Sequence, residues 1–279
     1  MSGAASKIGL ALTARLVAFW KLAPQRSVLG IDLAGPSSAK TGYALIQGGE
    51  SPYLIEAGAL PVADSPLDAE VALLDLIDGQ HPDVLTIDAP LTLPPCLTCP
   101  SHCRGPGADL CELQSAREMW ERGSNPVSRR PCELEAKEMI PRLDPKPTMG
   151  LGAITARAVA LVRKLENRGE PPASITRREV LEVYPRATLA RLGNRDPHLE
   201  PRRRGEEEIA YRRRVIAGLE GDVVGLRGVT ERRSALESSP DVLDAVIAAY
   251  TGWLAPGGLE EPPDDFNLAS GWIWFPKAV

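Results

Sequence analysis

The stretch SVLGIDLAGPSSAKTGYALIQ, residues 27–47, carries the reading on which the fold turns. Its first half, Ser27 to Gly35, is an apolar run of strand length that ends in a Gly-Pro-Ser-Ser loop. Its second half, TGYALIQ at 41–47, is again strand-like, so the pair reads as strand, polar loop, strand, in the manner of a hairpin. Moving outward, YLIEAGALPV follows Gly48, Gly49 and Pro52 and supplies a third strand, antiparallel to the second. SPLDAEVALLDLIDGQ, residues 65–80, places Leu67, Val71, Leu74 and Ile77 in helical register, with Ser65 as N-cap, Pro66 at the first helical position and Gly79 at the end. DVLTIDAPL, residues 83–91, is a short buried strand stopped by Pro90. The order strand, strand, strand, helix, strand therefore emerges from pattern alone.

Residues 92–150 are punctuated by Pro, Cys and Gly and read as an insertion lining a cleft, with a polar helix near 112–122. Beyond it, 153–168 is an amphipathic helix closed by Gly169. REVLEVYPRATL (178–189) reads as a strand turning at Pro185, a basic helical region covers about 203–219, and a last helix starts at Ser239-Pro240. Strands and helices mixed in this way give an α/β class with a mixed sheet.

The chain has 279 residues, 43% of them hydrophobic, and a formal net charge of -5, which excludes wholesale disorder, a coiled coil and a collagen-like repeat. It is long enough for one large domain, or for one domain with a substantial insertion. The 25 glycines and 26 prolines imply many sharp connections, and 5% aromatics leave the core to aliphatic side chains. Net acidity argues against a generally basic nucleic-acid coat, while a local basic groove stays open. Arginine outnumbers lysine, which suits phosphate contacts but is more often simply the outcome of genome composition. Residues 1–26 are expected to be an amphipathic N-terminal extension, with Lys7, Arg15 and Lys21 set among Leu10, Leu16, Val17 and Trp20. No run is long and apolar enough for a membrane span, and a cytoplasmic location is expected.

Four acidic residues stand out, each where an element meets the expected cleft. Asp32 lies toward the end of the first strand, and Asp88 holds the matching place in TIDAP. Asp241 and Asp244 are three apart on one helix face. Carboxylates converging from different elements suit hard divalent cations and two-metal phosphoryl chemistry. Singly, Asp32 or Asp88 reads more often as a turn-forming acid, and Asp241 equally as a complement to the helix dipole. Asp244, on the apolar side of its helix, needs a partner or a metal.

GIDLAG with TGYALI resembles the opening hairpin of ribonuclease H-like nucleases, including the RuvC class of Holliday-junction resolvases, and DVLDAVIAAY resembles their closing acidic helix. The ordered series GIDLAG, TIDAPLTLP, RRPCE, LEVYPRATL, PDVLDAVIAAYTGWLA and GWIWFP is similar to the family called domain of unknown function 429, described as predicted nucleases of that fold. The resemblance runs from Gly30 to Pro276. It implies a five-stranded mixed sheet over residues 27–279, with Asp32 and Asp88 adjacent and Asp244 delivered by the last helix. It also implies that Asp32, Asp88 and Asp244 bind magnesium or manganese, with Asp241 as a further ligand. Glu182 in LEVYP and Glu133 in RRPCE match further acidic positions and take supporting catalytic roles. The implied activity is metal-dependent phosphodiester hydrolysis on DNA or RNA. Asp88 stands where RuvC-type resolvases carry Glu, so junction specificity is not inherited.

Two Arg runs, Arg202-Arg203-Arg204 and Arg212-Arg213-Arg214, suit a phosphate backbone, or else form ion pairs with Glu206, Glu207 and Glu208 on a solvated helix. Cys96, Cys99, Cys103 and Cys111 fall close together on a Pro-rich loop, unlike the spread of a disulfide framework. Zinc is the expected ligand, with an iron-sulfur cluster and free thiols as alternatives and His102 as a substitute donor. Such a metal would staple an insertion lacking its own core. Two rival functions remain. One is an actin-like ATPase or kinase, which also opens with a strand, an Asp and a Gly/Thr hairpin but ordinarily needs a second such hairpin. The other is a catalytically idle nucleic-acid-binding protein.

Overall fold

The computed structural model describes residues 26–35, 40–61, 65–99, 111, 113–167, 179–255 and 257–278. The expected N-terminal extension therefore lies outside the described residues, apart from Arg26.

Arg26–Asp32 (β1), Gly42–Gly48 (β2) and Tyr53–Ala59 (β3) form an antiparallel meander. Pro66–Gln80 (α1) crosses back to Val84–Asp88 (β4), which lies parallel to β1, and Glu179–Glu182 (β5) adds parallel to β4. The five-stranded sheet has the order β3-β2-β1-β4-β5. This mixed topology is the ribonuclease H-like fold. Between β4 and β5 come Pro95–Thr98 (α2), Gln114–Glu121 (α3), Pro131–Met139 (α4) and Gly152–Asn167 (α5). After β5 follow Pro185–Leu192 (α6), Glu208–Glu220 (α7), Arg233–Ser238 (α8) and Pro240–Trp253 (α9).

Strand alternation sorts residues to the two faces. Leu29, Ile31, Leu85 and Ile87 join one core layer with Leu73 and Ile77 of α1 and Ala158 and Leu161 of α5. Val28 and Val84 join the other, under Ala245, Val246 and Ala249 of α9. By the same period, Gly30 and Asp32 of β1 and Thr86 and Asp88 of β4 belong to the α9 side. That helix lies unusually close to the sheet. A Cβ on Gly30 would stand 2.3 Å from the Ala245 carbonyl oxygen, and one on Gly42 would stand 2.2 Å from the Asp241 carbonyl oxygen. Gly30→Ala is therefore expected to lift α9 and cost about 3 kcal/mol, the upper end of overpacking effects, with a matching loss of divalent-metal affinity. An unchanged melting temperature would show that the close contact is not needed.

Three local expectations differ from the structure. The segment at 178–189 does not continue as a turned strand: α6 begins at Pro185, because Pro preorganises a first helical turn and the following RATLARL has helical spacing. Helix α1 runs through Gly79, and its left-handed C-cap is His81, with φ 43. The insertion does have an apolar core: Cys132, Ala136, Ile140 and Leu143 bury against Ala187 of α6 and against Trp272, Ile273 and Phe275. Long-range packing, which no local pattern announces, holds that part in place.

Candidate metal centre

Asp32 and Asp88 end β1 and β4, and the parallel register sets them directly side by side. Helix α9 comes over them. Its start is specified locally, with Pro240 in the first turn and the Ser239 hydroxyl accepting from the Val242 N–H. Small residues at 245, 248 and 249 then let it lie flush, which brings Asp244 down onto the pair. The ligand oxygens of Asp32, Asp88 and Asp244 lie within 4.8 Å of one another. Among the described residues this is the one His, Cys, Asp or Glu group that meets that condition. Asp241, one turn earlier, adds its charge to Asp32 and Asp244.

Electrostatics shows how poorly three carboxylates tolerate this spacing without a cation. Burial, followed by the charges of Asp244 and Asp241, pushes the Asp32 carboxyl up to about 8. Burial and Asp241 push Asp244 up to about 7, against the pull of Arg186. Asp88 is raised well above the carboxylate range by burial and then by Asp32, Asp244 and Glu182. Asp241 is raised by burial, with Lys40 opposing. The donor set therefore fits a divalent cation, whose charge would offset the repulsion.

These shifts carry an unusual stability signature. The folded, metal-free protein keeps protons that the unfolded chain releases above the ordinary value of 3.8, so the penalty is absent below that pH and complete above about 8. The melting temperature of the metal-free protein is expected to fall as pH rises through this window, and Asp32→Asn or added magnesium should flatten the slope. A rise in stability across the same window for wild type relative to Asp32→Asn would contradict the assignment.

The loop leaving Asp32 is anchored from behind. Arg157 of α5 donates from Nη1 to the Ala34 carbonyl at 2.7 Å and to Thr41 Oγ1 at 3.1 Å, while its Nε pairs with Glu70.

Glu182 and Glu133 lie behind the aspartates, in a buried polar network centred on Arg130. The Arg130 guanidinium, 1% exposed, grips both oxygens of Glu182, Nη1 to Oε2 at 2.7 Å and Nη2 to Oε1 at 2.5 Å. Glu182 Oε2 also accepts from the Leu91 N–H at 2.9 Å. Arg130 Nε donates to Thr148 Oγ1 at 2.7 Å and to Glu133 Oε1 at 3.2 Å, and Nη1 donates to Thr92 Oγ1 at 3.0 Å. Glu133 Oε1 also accepts from the Thr148 hydroxyl, and burial pushes the Glu133 carboxyl up. Arg130 escaped the sequence reading although RRPCE was singled out, since nothing local distinguishes it from Arg129.

The arginine runs follow the ion-pair alternative. Arg202 pairs with Glu208, Arg203 with Glu200, Arg213 with Glu237 and Arg214 with Glu206, at 3.5, 2.9, 3.0 and 2.8 Å, and Arg212 caps the Glu237 carbonyl at 2.7 Å. Cations nearer the acids are Lys146 and Arg186, both exposed and both lining a cavity of about 260 Å³ that also reaches Asp32, Asp88, Glu133, Glu182 and Tyr184.

Of the cysteine stretch, Cys103 and His102 lie outside the described residues. Cys96 and Cys99 are half-buried, and Cys111 is buried with its thiol on the Leu113 carbonyl at 3.6 Å. The described thiols form no trio within 4.8 Å, and the fourth cysteine of the expected site lies outside the described residues. Among the described residues, no helix is long and apolar enough to cross a membrane.

A family model described as "Protein of unknown function (DUF429)" matches residues 30–267. No curated protein matches the chain. Among solved structures, the yeast mitochondrial Holliday junction resolvase Ydc2 aligns with a TM-score of 0.39 and 11% identity, over 81% of this chain and 77% of that one.

Proposed function

The chain belongs to the DUF429 family, and from the carboxylate cluster built by its fold we propose that it is a divalent-metal-dependent nuclease that hydrolyses phosphodiester bonds. The observation that carries this reading is the convergence of Asp32, Asp88 and Asp244 from two parallel strand ends and a helix. Three acids at this spacing have no structural reason to persist, since each raises the cost of ionising the others. Asp32, Asp88 and Asp244 would hold magnesium or manganese, with Asp241 adding negative charge beside them. The chemistry such a cation supplies is Lewis acidity, activating a water and relieving charge on the phosphate oxygens.

The protein's own groups do the rest. Asp32 and Asp88 sit on strand ends, which fixes their separation better than a loop would. Arg130 keeps Glu182 occupied, so that its negative charge is offset beside Asp88 and does not compete for the cation. Hydrolysis joins the water oxygen to phosphorus and breaks the bond to the leaving strand oxygen, which takes up a proton.

Labelled single-stranded, duplex and branched DNA and RNA, incubated with manganese, provide the test. Cleavage that disappears in Asp32→Asn and Asp88→Asn supports the reading. Absence of cleavage on every substrate, or cleavage that survives both substitutions, rejects it.

A further inference from the structure

The cavity beside the aspartates has two kinds of wall. Acidic side chains, Asp32, Asp88, Glu133 and Glu182, are one kind, and Leu151, Ile154, Ile273 and Tyr184 are the other. Lys146, in the segment ahead of Thr148, and Arg186, in the first turn of α6, are the exposed cations of the lining. Arg186 is near enough to Asp244 and Tyr184 to favour the charged form of both. One cavity thus holds a metal-binding wall, positive side chains suited to phosphate, and an apolar wall with an aromatic ring.

Size and surroundings narrow the ligand. A volume of about 260 Å³ suits one base with its sugar and phosphate. Duplex tracking needs free cations spread along the phosphates. The long arginine runs are instead largely consumed by Glu200, Glu206, Glu208 and Glu237. Bases taken out of a stack are characteristically held against aromatic and apolar side chains, a contact tolerant of sequence.

Resting on the metal-centre reading, we infer that this cavity is a nucleotide subsite. It takes a single unpaired nucleotide, its base and sugar against Tyr184, Leu151, Ile154 and Ile273, and its phosphate between the aspartates and the Lys146 and Arg186 side chains. The substrate class is then a strand end or a single-stranded segment rather than the interior of a duplex. Without the cation the aspartates offer the phosphate no positive charge, so nucleotide binding depends on metal.

Calorimetric titration separates the two layers of the argument. Manganese titrated alone reads the metal centre, and dAMP titrated onto the manganese-loaded protein reads the cavity. The expected result is that dAMP binds at least about tenfold more tightly than inorganic phosphate or deoxyadenosine, and only with manganese present. Leu151→Trp, which fills the cavity, and Arg186→Gln, which removes a cation from its lining, should each weaken dAMP about tenfold or more while manganese still binds. Arg186 is exposed, so its variant keeps the test decisive if Leu151→Trp fails to fold. Manganese binding with phosphate held as tightly as dAMP, or with dAMP unaffected by either variant, overturns the subsite and leaves the nuclease reading standing. Equal cutting of a covalently closed duplex and a single strand overturns it as well. Loss of manganese binding itself would instead remove the metal centre.

Discussion

Replacing Arg130 with methionine should cost about 3–5 kcal/mol of folding stability, because it leaves the Glu182 carboxylate buried without its counter-ion. In a chain of this size that corresponds to a fall of roughly 10 °C in melting temperature. The effect differs in kind from loss of a surface ion pair such as Arg213–Glu237, which is worth about 1 kcal/mol or less. Arg130→Lys should rescue little. A single ammonium cannot present the planar fork that grips both oxygens of Glu182 while the Nε side reaches Thr148 and Glu133. Adding Glu182→Gln to Arg130→Met should recover part of the loss, since the stranded charge is then gone. Chemical or thermal unfolding of wild type, Arg130→Met, Glu182→Gln and the double variant closes the cycle, and additive costs would show that the pair is not coupled. The same network ties α4 to the end of β5 and to Thr92 and Thr148, so Arg130→Met should also weaken manganese binding at aspartates it does not touch.

Asp88→Asn should act in the opposite direction on stability and abolish function. In the metal-free protein Asp88 ionises against burial and against Asp32, Asp244 and Glu182. Removing that charge is expected to stabilise the metal-free fold near neutral pH, because the folded state, unlike the unfolded chain, pays to ionise this carboxyl. Stabilisation by added magnesium or manganese should disappear, since it comes from binding to the folded state alone. Cleavage should fall by more than about 100-fold, because even groups that merely orient metal ligands cost about 10–100-fold when removed. Melting curves with and without metal check both halves. A destabilised Asp88→Asn protein that retained its metal-induced shift would place the cation elsewhere. Gain of stability with loss of metal response is the pattern expected of a site that keeps a strained charge cluster for chemistry.

Much of the frame is written in short stretches. Ser65-Pro66 and Ser239-Pro240 start α1 and α9 by capping chemistry that spans a few residues, and both helices begin there. Alternation in VLGID and VLTID puts Asp32 and Asp88 on the same face as Gly30 and Thr86, which the sheet register turns into neighbours. Pro185 was ambiguous in the same local terms, since proline can end a strand or open a helix, and the helix prevailed through the packing of Ala187, Leu189 and Leu192.

Sequence alone determined the strand and helix order, the candidate acids and, through an ordered set of motifs, the family. Those depend on backbone preferences and side-chain periods that act over a few residues. Tertiary structure decided which acids meet and which are spent. Asp244 reaches Asp32 because Gly30 and Gly42 leave room for α9, whereas Glu182 is claimed by Arg130, 52 positions away in the chain. The arginine runs, ambiguous as text, became ion pairs once folding set glutamates beside them. The physical reason is that charge cost and charge partner are properties of three-dimensional neighbourhood. A carboxylate's burial and its counter-ion come from distant segments, so its spelling in the chain cannot say whether it will hold a metal, pair with an arginine or face water.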